Sequence, residues 1–116
     1  MRISKIELNP HLKKQISNTL FQVIADLKKI EETEIFFTDF LNNTELETFS
    51  KRLAIAYFLK KGRSYSNIKQ NLKVSSTTVA VVEKLMSTEG FKLALKKIEA
   101  EEWANQWTEK IKKIVK

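Results

Sequence analysis

Seven basic side chains and no acid lie between Thr48 and Val82: Lys51, Arg52, Lys60, Lys61, Arg63, Lys69 and Lys73. Their charge equals the +7 of the whole 116-residue chain, because residues 1–47 balance to −2 and residues 83–116 to +2. A local field of one sign suits a polyanion, since each neutralised phosphate releases condensed counterions. A basic face that merely keeps a protein in solution has the same composition, so the position of the block has to decide. Other chemistry-bearing residues are few. His11 is the one histidine and is expected on the surface, in the first turn of a helix. Glu31, Glu32, Glu34 and Asp39 surround a helix junction with no His or Cys beside them, a pattern that predicts a solvated acidic face rather than a metal site. Cys is absent, which excludes disulfides, thiolate metal sites and a cysteine nucleophile. No catalytic residue, metal or cofactor is expected, and the chain is not expected to be an enzyme.

The basic block contains the segment YSNIKQNLKVSSTTVAVVEK, Tyr65 to Lys84, which has the anatomy of a helix-turn-helix spanning about residues 64–87. Two short helices crossing steeply need apolar residues at their inward positions, and Ile68, Leu72, Val74, Val79 and Val82 stand there. Ser75 is placed to cap the second helix. That leaves a small, polar N-terminal face, Ser76, Thr77, Thr78, Ala80 and Val81, narrow enough for a major groove about 12 Å wide. The residues expected to contact double-stranded DNA are Arg63, Ser64, Ser66, Lys69, Lys73, Ser76, Thr77, Thr78, Ala80 and Lys84. Arg63, Lys69, Lys73 and Lys84 would meet phosphates and set affinity. The reading face has no Arg, Asn or Gln for bidentate base contacts, so hydroxyls, methyl contacts and bridging water remain to it. Lys73 occupies the turn position usually given to glycine and has to tolerate that geometry.

The elements that must hold this pair in place are also helical. Two Gly and one Pro in the chain leave almost no material for tight hairpins, and 42% hydrophobic residues suffice for a core. Asn9-Pro10 opens a first helix in which Leu12, Ile16, Leu20, Val23, Ile24 and Leu27 recur at helical spacing, to about Lys29. Thr33 is expected to cap a short second helix through Leu41. Thr44, with Glu47 three residues on, reads as the capping box of a third helix that Gly62 ends. After the helix-turn-helix, Gly90 is expected to break the chain before a last, charged helix. Its extension, residues 97–116, is amphipathic, with Ile98, Trp103, Trp107, Ile111 and Ile114 on one side. The first two helices are apolar on more than one side, and Phe36, Phe37, Phe40 and Phe49 fall within 14 residues. Such helices need neighbours on each side, which predicts a dimer.

The stretch LFQVIADLKKIEETEIFFTDFLNNTELETFSKRLAIAYFLKKGRSYSNIKQNLKVSSTTVAVVEKL resembles the Trp repressor superfamily, and within it the Trp-repressor-like YerC/YecD branch. SKRLAIAYFLKKGRSYSNIKQNL is the most telling part, and GFKLAL resembles the segment after the branch's recognition helix. The resemblance covers about Leu20 to Leu95 and includes the Lys at position 69. It implies an all-α, six-helix protomer forming one domain over residues 1–116, in an interlocked homodimer with two helix-turn-helix heads. It further implies a sequence-specific DNA-binding regulator, acting as a repressor. In that superfamily two Arg residues hold the carboxylate of tryptophan between the third helix and the recognition helix. Arg52 matches the first, but the second falls on Val81 and the neighbouring Gly on Val82. This possible ligand pocket, Arg52, Val81 and Val82, is therefore not expected to respond to tryptophan, and any other effector is unspecified. With no long apolar run, no leader and no membrane partner are expected, and the expected location is the cytoplasm. The alternative is a helical protein-interaction module that does not bind DNA specifically.

Overall fold

The computed structural model describes residues 6–115, with side chains to Glu102. Among the described residues six helices follow one another: α1 (Pro10–Asp26), α2 (Ile30–Phe40), α3 (Asn43–Lys60), α4 (Tyr65–Leu72), α5 (Ser76–Leu85) and α6 (Glu89–Val115). No strand occurs among the described residues, and the fold is all-α as expected. No described helix is long and apolar enough to cross a membrane. The chain forms two compact units, Met1–Leu46 and Glu47–Lys116.

In the first unit α1 begins where Asn9 Oδ1 accepts the amides of His11 and Leu12, at 2.9 and 3.3 Å. His11 is exposed there, as are Glu31, Glu32, Glu34 and Asp39. α1 stops at Asp26, short of the expected Lys29, because Leu27 turns to an extended conformation. Thr33 is not a cap. α2 already begins at Ile30, with Glu31 and Glu32 in its first turn, where carboxylates favour the positive helix end. The Thr33 hydroxyl donates back to the Lys29 carbonyl instead. Phe36 stacks on Phe40 at 4.2 Å and meets Phe37 edge-on at 5.2 Å, yet neither α1 nor α2 has a buried residue.

The capping box of α3 also starts earlier than Thr44 and Glu47. Asn42 Oδ1 accepts the Glu45 amide at 2.8 Å, and Glu45 Oε1 accepts the Asn42 amide at 2.9 Å. Asn is as good a cap as any residue, and this register puts a Glu at the third helical position, where it can reach back. Glu47, two residues further on, pairs with Lys51 at 3.4 Å.

The second unit carries the core. Ile55 and Ala56 of α3, Ile68 of α4, Val79 and Val82 of α5, and Leu95 of α6 are buried together. Phe58, Leu72, Val74, Phe91 and Ile98 pack against them half-buried. The Lys60–Glu99 and Lys61–Glu102 ion pairs join the end of α3 to α6. Lys60 beside it, through its hydrogen bond, holds the Glu99 carboxyl below the usual carboxylate range. Gly90 does not break the chain: it is the second residue of α6, near the helix start, where few intrahelical bonds depend on it. α6 carries Trp103, Trp107, Ile111 and Ile114, whose side chains, and with them the expected apolar face, lie outside the described residues.

Two left-handed residues shape the turns. Gly62, φ 81°, closes α3, and Lys73, φ 56° and ψ 54°, closes α4. An added Cβ at Gly62 meets no atom within 4 Å, so the cost of Gly62→Ala is conformational. It should lower stability by about 1 kcal/mol in urea melts. Lys73→Gly should shift the melt the other way by only a few tenths, ~0.3 kcal/mol, because glycine also loosens the unfolded chain.

Candidate nucleic-acid interface

Local signals form α4 and α5, and the core sets them across each other. Ser64 Oγ accepts the Asn67 amide at 3.1 Å and Ser75 Oγ accepts the Thr78 amide at 3.1 Å, so each helix has a serine cap. Between them Lys73 takes the left-handed turn with its amide on the Lys69 carbonyl. Ile68 and Val79 are fully buried, Val82 nearly so, and Leu72 and Val74 are half-buried beside them. All five inward residues therefore face the core, as the pattern predicts.

A contact that no local pattern announces ties the pair at its open end. The Tyr65 hydroxyl, at the start of α4, donates to Glu83 Oε1, near the end of α5, at 2.8 Å. Glu83 is the one acid between residues 64 and 87. Its carboxylate, by accepting that proton in a hydrogen bond, raises the Tyr65 pKa above the usual 10.0, with desolvation adding to the effect.

On the outward side Ser76, Thr77 and Thr78 are exposed, Ala80 is half-buried and Val81 is 53% exposed. Arg63, Ser64, Ser66, Lys69, Lys73 and Lys84 are exposed as well. Two of these polar residues are already engaged. The Ser64 side chain caps α4, and the Thr78 hydroxyl lies 2.9 Å from that of Ser75. Ser76 and Thr77 are thus the freer hydroxyls of the face.

The acid-free block is not acid-free in space. Lys51 pairs with Glu47 at 3.4 Å, Lys60 with Glu99, and Lys61 with Glu102 at 3.2 Å. Among the described residues no salt bridge involves Arg52, Arg63, Lys69, Lys73 or Lys84. Four of these five are the cations expected at phosphates. Arg52 is the other, and its guanidinium carbon lies 5.5 Å from the Phe49 ring centroid.

Arg52, Val81 and Val82 do come together. With Thr48, Lys51, Ile55, Val74, Thr77 and Thr78 they line a cleft of about 350 Å³ between α3 and α5. Val82 forms its floor from the core, while Val81 stands at the open side. Lys51 is a second cation on this wall that sequence spacing did not single out. Its signal is available in hindsight, since it precedes Arg52 on the same helix.

The Tyr65–Glu83 bond has a pH signature. A tyrosine whose folded pKa is raised contributes stability below its unfolded value of about 10, lost as pH rises through the folded value. Tyr65→Phe should therefore melt at lower temperature than the parent by a constant gap up to about pH 10, and the gap should shrink above it. Thermal melts of the two proteins across alkaline pH provide the check.

Three comparisons bear on this arrangement. "Uncharacterized protein YerC" of Bacillus subtilis (strain 168) is 28% identical over 85 residues, 72% of this chain and 82% of that protein. The crystal structure of a TrpR like protein from Eubacterium eligens ATCC 27750 matches with a TM-score of 0.70 at 28% identity, over 78% of this chain and 96% of that one. The family model described as Trp repressor protein matches residues 15–99, which run from α1 into α6 and include both helices of the crossed pair. This chain belongs to the Trp repressor family, in its YerC-like branch.

Proposed function

We propose that this protein is a sequence-specific DNA-binding regulator of transcription, a repressor, acting as a homodimer. The observation that carries the proposal is the exposed face of the helix-turn-helix. On these two helices and at their entrance Arg63, Lys69, Lys73 and Lys84 are exposed without acid partners among the described residues, and Ser76 and Thr77 are exposed at the start of α5. Every other lysine of the basic block has a carboxylate beside it. Membership of the Trp repressor family supports the same reading. The cations would grip phosphates, and the small face of α5 would enter the major groove.

The homodimer has its own support. In the first unit Phe21, Ile30, Ile35 and Phe40 are 63%, 78%, 64% and 69% exposed. Covering a half-exposed side chain of this size stabilises by roughly 1 kcal/mol. Several such side chains on α1 and α2, with none buried, favour an interlocked dimer in which these helices are covered by a second copy. Two heads would then address half-sites roughly 34 Å apart. L-tryptophan is not the effector on this reading, because Val81 stands where the second carboxylate clamp is needed.

Sedimentation equilibrium should give a dimer throughout the micromolar range, and a folded, stable monomer there would overturn the assembly. For DNA, filter binding against salt separates grip from readout. Lys69→Ala should weaken binding to all duplexes alike and lower the slope of log affinity against log salt by about one. Thr77→Ala should leave the slope alone and lose roughly 1–3 kcal/mol on the preferred site only. Absence of duplex binding at low salt would reject the reading in favour of a protein-interaction module.

A further inference from the structure

The turn that ends α3 brings an aromatic ring under an arginine. The Gly62 amide bonds the Leu59 carbonyl and the Arg63 amide bonds the Phe58 carbonyl, both at 3.0 Å. In this helix closure the residue after the glycine folds back onto the one five positions earlier, and the pair is usually apolar. Here it is Phe58 and Arg63. The guanidinium carbon lies 4.2 Å from the Phe58 ring centroid, a stacking distance at which a cation is drawn to the ring face. Phe58 packs half-buried against the core, which restrains its ring. Arg63 Nη1 also donates to Asn67 Oδ1 at 3.4 Å. Asn67 is itself held, since its amide bonds Ser64 Oγ.

A guanidinium held by its face keeps its edge donors. One of the five N–H groups goes to Asn67, and the rest stay available for bidentate contact with a phosphate. Arg63 is exposed, and an exposed arginine ordinarily loses much rotamer freedom when it binds. Here part of that loss has been met in the free protein. We propose that Phe58 is a positioning residue for DNA binding: it holds the Arg63 guanidinium ready, at the entrance to the helix-turn-helix, to clasp a backbone phosphate. The proposal rests on the DNA-binding reading above and adds that the aromatic ring, not the charge alone, sets part of the affinity.

The test is a double-mutant cycle on the full chain, read by duplex affinity as a function of salt. Phe58→Leu should weaken binding about three- to tenfold, the equivalent of ordering one long side chain. The salt slope should not move, because the charge is still there. Arg63→Ala should weaken binding and lower the slope by about one. Arg63→Lys should keep the slope but lose affinity, since an ammonium does not stack or fork in the same way. Phe58→Leu placed in the Arg63→Ala background should cost nothing further. An equal loss in both backgrounds would make Phe58 purely structural, and unchanged affinity in Phe58→Leu would likewise overturn the proposal. Should Phe58→Leu fail to fold, NMR of the parent protein decides. Arg63 side-chain protons should be shifted upfield by the ring, and unshifted protons would overturn the stacking. A stacked Arg63 in a parent protein that binds no duplex would reject the DNA-binding reading, and the role of Phe58 with it. Duplex binding that is indifferent to Phe58 would reject only this inference.

Discussion

Ile68 and Val79 come from two helices of eight and ten residues, lengths at which isolated helices are not stable in water. Both side chains are fully buried, in one cluster with Ile55, Ala56, Val82 and Leu95. That shared burial holds α4 and α5 at a fixed crossing, and the outward features of the second unit depend on it. The left-handed Lys73 is tolerated because the two helices must turn tightly between these anchors. The Tyr65–Glu83 bond forms because the crossing brings the start of α4 to the end of α5. Thr77 and Val81 face outward because the opposite side of α5 carries Val79 and Val82 inward.

Electrostatics adds selection to that frame. Three of the seven cations in the acid-free block are matched by Glu47, Glu99 and Glu102, the first by helical spacing and the other two by the approach of α6 to the end of α3. Exposed pairs of this kind contribute little to stability. Their larger effect is to neutralise Lys51, Lys60 and Lys61 on α3 and at its end, while the basic residues of α4 and its turns stay unpaired among the described residues. The Tyr65 hydroxyl, by bonding Glu83, engages the remaining acid of the pair. A block of one sign in sequence is thus divided in space, with Lys51, Lys60 and Lys61 matched by acids and Arg63, Lys69 and Lys73 left without ion pairs among the described residues.

The two units differ in what they complete alone. All of the residues buried among those described lie in the unit Glu47–Lys116. The first unit has a well-formed helical pattern, a sound cap at Asn9 and a stacked phenylalanine pair, but it buries no side chain of α1 or α2. Local signals are enough to define such helices in sequence, while the burial of their apolar side chains is not a matter those signals decide.

By itself the sequence determined the all-α class, the six helices, the crossed pair with its five inward residues, and the two left-handed turn positions. These follow from apolar periodicity, serine caps and the scarcity of glycine, which act within a few residues. It also marked the exposed cations Arg63, Lys69, Lys73 and Lys84. Errors arose where two local signals competed. Asn42 and Thr44 both suit a cap, and the register that gave Glu45 a reciprocal bond prevailed. Thr33 and Gly90, which suit helix boundaries, sit inside α2 and α6, because neighbouring residues favoured an earlier start. What only the tertiary structure decided is which lysines meet acids, how Tyr65 reaches Glu83 across 18 residues, and that Lys51 joins Arg52 on the wall of a cleft facing α5. Those outcomes depend on the angle at which packed helices cross, and that angle is a property of the whole core rather than of any segment of the chain.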